Sequence, residues 1–222
     1  MRKTVIIGNA ISAELLYEYL RHDGRYQIEA FSVDAQYIKE GSLFERPVVD
    51  LANLAEQYPP GDYGVLMGIG YGDLNRTRER IFTRLKAMGY AIETYIHPDA
   101  KVYSPFIGEG SILMPNTFVD VHAQIGANTV VWGNCSVAHH AKVGPNCWLA
   151  SGCVLSAGVE IGANGFIGVS ATVVNNVRVG SHNIIGACSL VVKNTGDFKV
   201  YISRQTEEFR LGSEDYIRFS KI

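Results

Sequence analysis

The chain has 222 residues, and its 20 basic and 22 acidic side chains leave a net charge of −2, which gives no bulk attraction for a polyanion and argues against a nucleic-acid partner. Hydrophobic residues at 47% and charged residues at 19% exclude a disordered chain and describe one large or two small compact domains. Glycine, at 23 residues, exceeds the usual ~7% and reads as a demand for many tight backbone turns.

The first half alternates two kinds of segment. Residues 4–7 (Thr-Val-Ile-Ile) form a short β-rich run, too short for a signal peptide, and end in Gly8-Asn9. Ser12 is placed to cap a helix running to Arg21, with Leu15, Leu16, Tyr19 and Leu20 on its apolar face. Residues 28–33 read as a second strand closed by Asp34, and Asp50 has the chemistry to cap a short helix reaching Gln57, before Pro59 and Pro60. A third strand over 63–67 ends in Gly68-Ile69-Gly70, residues 75–88 make a charged amphipathic helix, and 91–95 a fourth strand. The order βαβαβαβ implies a small parallel sheet with crossover helices over residues 1–97.

From Ile107 the pattern changes to a strict period of six. Every sixth residue through Val191 is Ile, Leu or Val, fifteen in all, and the residue four places later is small or Val in every repeat except at Asn183. Gly follows the aliphatic residue in seven repeats, at 108, 126, 144, 162, 168, 180 and 186. A large and a small residue two positions apart point the same way on a strand, and the rest of each hexapeptide is a turn. Three strands make a triangular coil of 18 residues, so residues 98–196 form about five coils of a parallel β-helix, followed by a tail over 197–222. Cys135, Cys147 and Cys153 fall in the small inward column, where Cys acts as a small buried residue. No apolar run reaches membrane length and no Cys spacing suits zinc, so a cytoplasmic protein with free thiols is expected.

Few polar groups stand out against this repeat. His139 and His140 lie in a turn after Val137, and His122 precedes His140 by 18 residues, one coil below. A polar turn at a subunit contact and a zinc site are both open readings. The γ-class carbonic anhydrases share such a β-helix and bind metal between subunits, but the separations of 17 and 1 here do not follow their arrangement, and no metal is expected. Asp120 is placed to orient His139, with a solvated turn residue as the alternative. Gly8, Asn9, Ala10, Ile11 and Ser12 form a strand-to-helix turn of the kind that receives phosphate or sugar, without the Gly-x-Gly-x-x-Gly spacing of a dinucleotide site. Asp34, Gly68 and Gly70 end the neighbouring strands, as nucleotide contacts or as ordinary strand-end turns.

Val5-Ile-Ile-Gly8, Gly68-Ile-Gly70, Asn75-Arg-Thr-Arg78, Ala91 to Pro98 and the hexapeptides together resemble the sialic acid O-acetyltransferases and the bacillosamine-type nucleotide-aminosugar N-acetyltransferases. The resemblance covers about residues 3–200 and implies a left-handed β-helix behind a small Rossmann-like domain that binds the nucleotide sugar. It also implies a homotrimer with acetyl-CoA between subunits, and His139 as the general base. In the aminosugar enzymes an acid follows that histidine; here His140 stands there, as in another sub-branch. Trp148, Gly168, Val169, Gly186 and Ala187 align with acetyl-CoA contacts, and Lys193, Lys199 and Arg204 are placed to meet its phosphates. The Gly-Asn-Pro-Ala segment common after the last coil is replaced by Tyr201-Ile-Ser-Arg-Gln-Thr206. The expected activity is N-acetylation of a nucleotide-linked 4-amino-deoxysugar, with O-acetylation of a sugar or surface-glycan precursor and a non-catalytic sugar-binding scaffold as alternatives. An imidazole, with an ordinary pKa of about 6.5, can take the proton of an amine or hydroxyl as it attacks a thioester directly.

Overall fold

The computed structural model describes residues 1–220. Strands β1 (Arg2–Ile7) and β2 (Tyr26–Val33) pair in parallel. They are joined by helix α1 (Ile11–Asp23), which buries Ala13, Leu16 and Leu20. Ser12 does not cap α1: the N-cap is Ala10, without a side-chain bond, because the chain turns helical two residues earlier than the cap chemistry suggested. Gly24 ends the helix with φ +72°, returning its N–H to the Leu20 carbonyl at 3.2 Å.

Strands β3 (Ser42–Leu43) and β4 (Arg46–Asp50) form an antiparallel hairpin, and β4 adds in parallel to β2. The sequence reading left this stretch without an element. Its two-residue turn, Phe44-Glu45, has φ of +49° and +60°, the geometry that Asn-Gly normally announces, and these side chains conceal it. Asp50 does cap, accepting from Ala52 N at 3.1 Å ahead of helix α2 (Leu54–Gln57). Strand β5 (Gly64–Met67) and helix α3 (Arg76–Ala87) follow, giving sheet order β3-β4-β2-β1-β5. The expected fourth strand is reduced to one bridge, Ile92 to Val65. Beyond it the chain has already entered the coils: Tyr95–Ile96 pairs with Ile112–Leu113.

All fifteen aliphatic residues of the hexapeptide column lie in a two-residue strand or bridge, and from Leu113 to Val191 none is more than 5% exposed. The strands stack as three sheets. The first runs through Leu113, Val131, Leu149, Ile167 and Ile185, the second through Val119, Val137, Leu155, Val173 and Val191, and the third through Ile125, Val143, Ile161 and Val179. The coiling extends beyond the sequence period at both ends. Lys101 pairs with Phe118 and Ile184 with Val200, at spacings of 17 and 16 residues rather than 18. Asn183, the misfit in the small column, is where the interior closes. Its amide donates to Thr195 Oγ1 at 2.7 Å and Gly196 O at 2.9 Å, and its Oδ1 accepts from Lys199 N at 2.6 Å.

The turns correct the glycine reading. The third residue after each aliphatic, from Gly110 through Cys188, takes φ between +55° and +72°, and only Gly110, Gly152 and Gly158 among these are glycine. The others are mostly Asn, with His122, His140 and His182 among them, residues that tolerate the left-handed region. The glycines directly after the aliphatic have a different cause, close stacking of coils. A Cβ at Gly126 would lie 2.5 Å from Pro145 N, and one at Gly162 2.5 Å from Ser181 N.

Leu16, Leu20, Phe31 and Leu66 pack on the outward side of the first sheet, against Ile112, Val130 and Trp148. Arg78 fastens this seam. Fully buried, it donates to the carbonyls of Met67, Ile69, Gly110 and Asn128 at 2.8–3.4 Å. Burial pulls its pKa down to about 9, still above neutral, and the four carbonyl dipoles solvate the charge in place of water.

Candidate active site

The coils decide where His139 lies. Residues 138–141 connect the second sheet to the third, and in a triangular coil that edge is opposite the first sheet, whose outward side the N-terminal domain covers. His139 and His140 are both exposed. Their Nδ1 atoms are 3.1 Å apart, and the rings meet edge to face at 5.3 Å between centroids. His122, one coil below, lies 4.9 Å from the His140 ring. These rings follow one another along the edge, and the described residues contain no group of three or more His, Cys, Asp or Glu side chains arranged to hold a metal. Asp120, expected to orient His139, makes no hydrogen bond to it among the described residues. Its Oδ1 accepts from the N–H of Val121 at 2.8 Å, within its own turn. One coil above, Gly158 donates its N–H to the His139 carbonyl at 3.1 Å and fixes the backbone of the site.

The N-terminal turn residues do converge. Gly8, Asn9, Ala10, Asp34, Gly68 and Gly70 line one cleft of about 170 Å³, together with Ser32, Tyr37, Thr77 and Arg80. Gly8 takes φ +127°, and a Cβ there would lie 2.6 Å from Gly68 O, so the two strand ends come this close only with glycine at residue 8. Ser32 is fully buried at the wall, its hydroxyl without a partner. Asp34 pairs with Arg84 at 2.5 Å, with Arg80 at 3.9 Å. Two of the predicted residues stand apart: Ile11 is 70% exposed, and Ser12 faces the seam beside Leu16, Arg78 and Trp148. The sequence reading missed Ser32, Tyr37 and Arg80. An alternating buried strand conceals Ser32, and the other two reach the cleft from separate elements. Beyond Asn9, Ala10 and Tyr37 the cleft continues into a groove of about 500 Å³.

Gly168-Val169 and Gly186-Ala187 come together as successive layers of the edge between the first and second sheets. A Cβ at Gly168 would lie 2.6 Å from Ala187 N, so the two coils stack here backbone on backbone, with Val169 51% exposed beside them. Ser203 Oγ donates to Ala187 O at 2.7 Å, bringing the tail onto the same edge. Lys193, Lys199 and Arg204 are all exposed. Trp148, expected at the cofactor, is only 4% exposed, with Tyr71 at 5.1 Å and Trp132 at 5.7 Å, and packs in the seam under the N-terminal domain.

Residues 122–157 match the model of the bacterial transferase hexapeptide family (six repeats). No curated protein sequence matches. The acetyltransferase domain of PglB from Neisseria gonorrhoeae, solved in complex with acetyl coenzyme A, is 26% identical and superposes with a TM-score of 0.82 over 94% of this chain and 99% of that one. A histidine-to-alanine form of the GDP-perosamine N-acetyltransferase from Caulobacter crescentus, solved with CoA and GDP-perosamine, is 29% identical, with a TM-score of 0.82 over 91% and 94% of the two chains. The chain is an acyltransferase of the hexapeptide-repeat fold. Its coils wind in the left-handed sense of that fold. WeeI from Acinetobacter baumannii, at 19% identity and a TM-score of 0.79 over 91% of this chain and 97% of that one, has the same fold. Among the described residues no helix is long and apolar enough to cross a membrane.

Proposed function

We propose that this acyltransferase moves an acetyl group from acetyl-CoA to the 4-amino group of a nucleotide-linked deoxysugar, in the cytoplasm, with His139 as general base. The nucleotide lies in the cleft of Gly8, Asp34 and Gly68, and acetyl-CoA along the backbone edge at Gly168 and Gly186. The amine nitrogen attacks the thioester carbonyl and His139 takes its proton; the carbon–sulfur bond breaks and the proton passes to the leaving thiolate, with no acyl-enzyme. The nucleotide-sugar and CoA complexes of the relatives support both ligand classes.

The observation that carries this reading is the placement of the two half-sites. The nucleotide cleft belongs to the domain covering the first sheet, while His139 is on the opposite edge of the same coils. An acceptor bound in one chain therefore meets the histidine of a neighbouring copy. The second sheet, between the His139 edge and the Gly168 edge, is one of the two sides of the coils that the N-terminal domain leaves uncovered. Val154, Val169, Leu190 and Val192 are 37–64% exposed there, a patch suited to burial between the copies of a homotrimer. A hydroxyl acceptor is the second reading, favoured by one observation: an imidazole, His140, touches His139 where a carboxylate would increase its basicity.

Purified protein with acetyl-CoA and a panel of UDP-, GDP- and dTDP-linked amino sugars, each beside its hydroxyl analogue, reports through release of free thiol. Release with amino sugars alone supports N-acetylation, and release with the hydroxyl analogues moves the assignment to O-acetylation. His139→Ala is expected to lower kcat by roughly 10²–10⁴-fold; turnover within a few-fold of wild type overturns the base assignment. A monodisperse monomer in solution overturns the shared site.

A further inference from the structure

The turn at residue 140 needs only a residue that accepts left-handed φ, and the same edge satisfies this with Gly158 one coil above and Asn176 two coils above. Histidine meets it too, at His122 one coil below, and at 140 it brings a ring nitrogen to its neighbour. At this turn its Nδ1 lies 3.1 Å from Nδ1 of His139. Two imidazole nitrogens at hydrogen-bond distance share one proton: one is N–H and the other presents its lone pair. If His139 donates, its Nδ1 carries the hydrogen and its Nε2 is left as the basic lone pair. In the opposite arrangement His139 carries hydrogen on Nε2 and cannot take a proton there.

We propose that His140 is a positioning residue for the transfer, accepting from His139 Nδ1–H and so holding His139 in the tautomer whose Nε2 is basic. The proposal rests on His139 being the general base. His140 is itself held from below by the ring of His122 at 4.9 Å, and the hydrogen-bonded distance to His139 fixes its other side. The nearby carboxylate, Asp120, is bonded to the Val121 N–H, and among the described residues no ion pair reaches His122, His139 or His140. The orienting group is therefore a neutral acceptor. It sets the direction of the lone pair without adding the negative charge that would raise basicity.

Two substitutions separate this role from the turn. Asn keeps the left-handed φ and places Oδ1 where His140 carries Nδ1, so His140→Asn retains an acceptor. Gly keeps the turn and removes the acceptor. His140→Asn is expected to stay within a few-fold of wild-type kcat, while His140→Gly loses roughly 10- to 100-fold in kcat with KM little changed. Nitrogen-15 NMR of labelled protein reads the tautomer directly. His139 is expected as Nδ1–H in wild type and in His140→Asn, and to shift toward Nε2–H in His140→Gly. Equal kcat for His140→Gly and wild type, an equal loss in both variants, or an unchanged His139 tautomer in His140→Gly would each overturn the proposal. Full activity in His139→Ala would instead overturn the base assignment, and the NMR result would still decide whether His140 orients that ring.

Discussion

The two classes of turn residue make opposite demands, and exchanging them tests the account of the coils. At Gly126 a Cβ would meet Gly144 C and Pro145 N at 2.5 Å and Gly144 O at 2.7 Å, all backbone, where ordinary contact begins near 3.4 Å. The two coils must then part by about 0.9 Å, which stretches the Gly126 N to Val143 O bond from 2.8 Å beyond hydrogen-bonding range. A lost buried hydrogen bond at about 1 kcal/mol, added to overpacking strain of about 1–3 kcal/mol, gives roughly 2–4 kcal/mol of destabilisation for Gly126→Ala. Asn134 takes φ +61° on an exposed turn, a conformation free to glycine, so Asn134→Gly should fall within about 0.5 kcal/mol of wild type. Urea unfolding followed by circular dichroism, at one fixed protomer concentration because association is linked to stability, measures both. If Gly126→Ala is as stable as wild type, or Asn134→Gly is as damaging as Gly126→Ala, the division of labour between these positions is wrong.

Arg78→Met leaves the carbonyls of Met67, Ile69, Gly110 and Asn128 without their donor. It should cost roughly 3–5 kcal/mol, and because both tryptophans, Trp132 and Trp148, pack in the seam, the red shift of their emission should come at lower urea than loss of the β signal; coincident transitions at wild-type urea refute the fastening role. Arg25 donates to both carboxylate oxygens of Asp23 at 2.5 Å and holds its pKa below the ordinary value. The folded state then binds fewer protons, so this stability is present above pH 3.8 and lost as pH falls through the folded pKa. With Arg25 half exposed the effect is at most about 1 kcal/mol, and the gap between wild type and Asp23→Asn in thermal melts should close with acid; a gap that persists below the folded pKa contradicts it.

The β-helix was legible because its period is set by geometry that each coil repeats. An aliphatic residue fills the interior at every strand, and no tertiary contact can shift that column without emptying the core. What the sequence could not disclose was the cause of each small residue. Gly126 and Asn134 look alike as turn formers, yet one is required by the coil above it and the other by its own φ. The hairpin over residues 42–50 was hidden for a related reason. Phe44 and Glu45 occupy left-handed φ that their side chains do not advertise, and Phe44 is held by stacking on Tyr17 at 4.6 Å, a contact distant in sequence.

The same limit explains the outcome at the site. Trp148 and Ser136 are both outward residues of two-residue strands, and the hexapeptide pattern treats them identically. Which outward side is covered depends on how α1 and β5 dock, information carried by Leu16, Leu66 and Arg78 in another part of the chain. That docking buries Trp148 and leaves His139 on the far edge, so the cleft of Gly8, Asp34 and Gly68 and the histidine lie on different sides of the coils. How the cleft at Gly8 and Gly68 lies relative to His139 follows only from the side of the triangle on which the N-terminal domain sits. A chain that keeps every hexapeptide yet docks this domain on the second sheet would cover Val154 and Leu190 and leave Trp148 open to solvent.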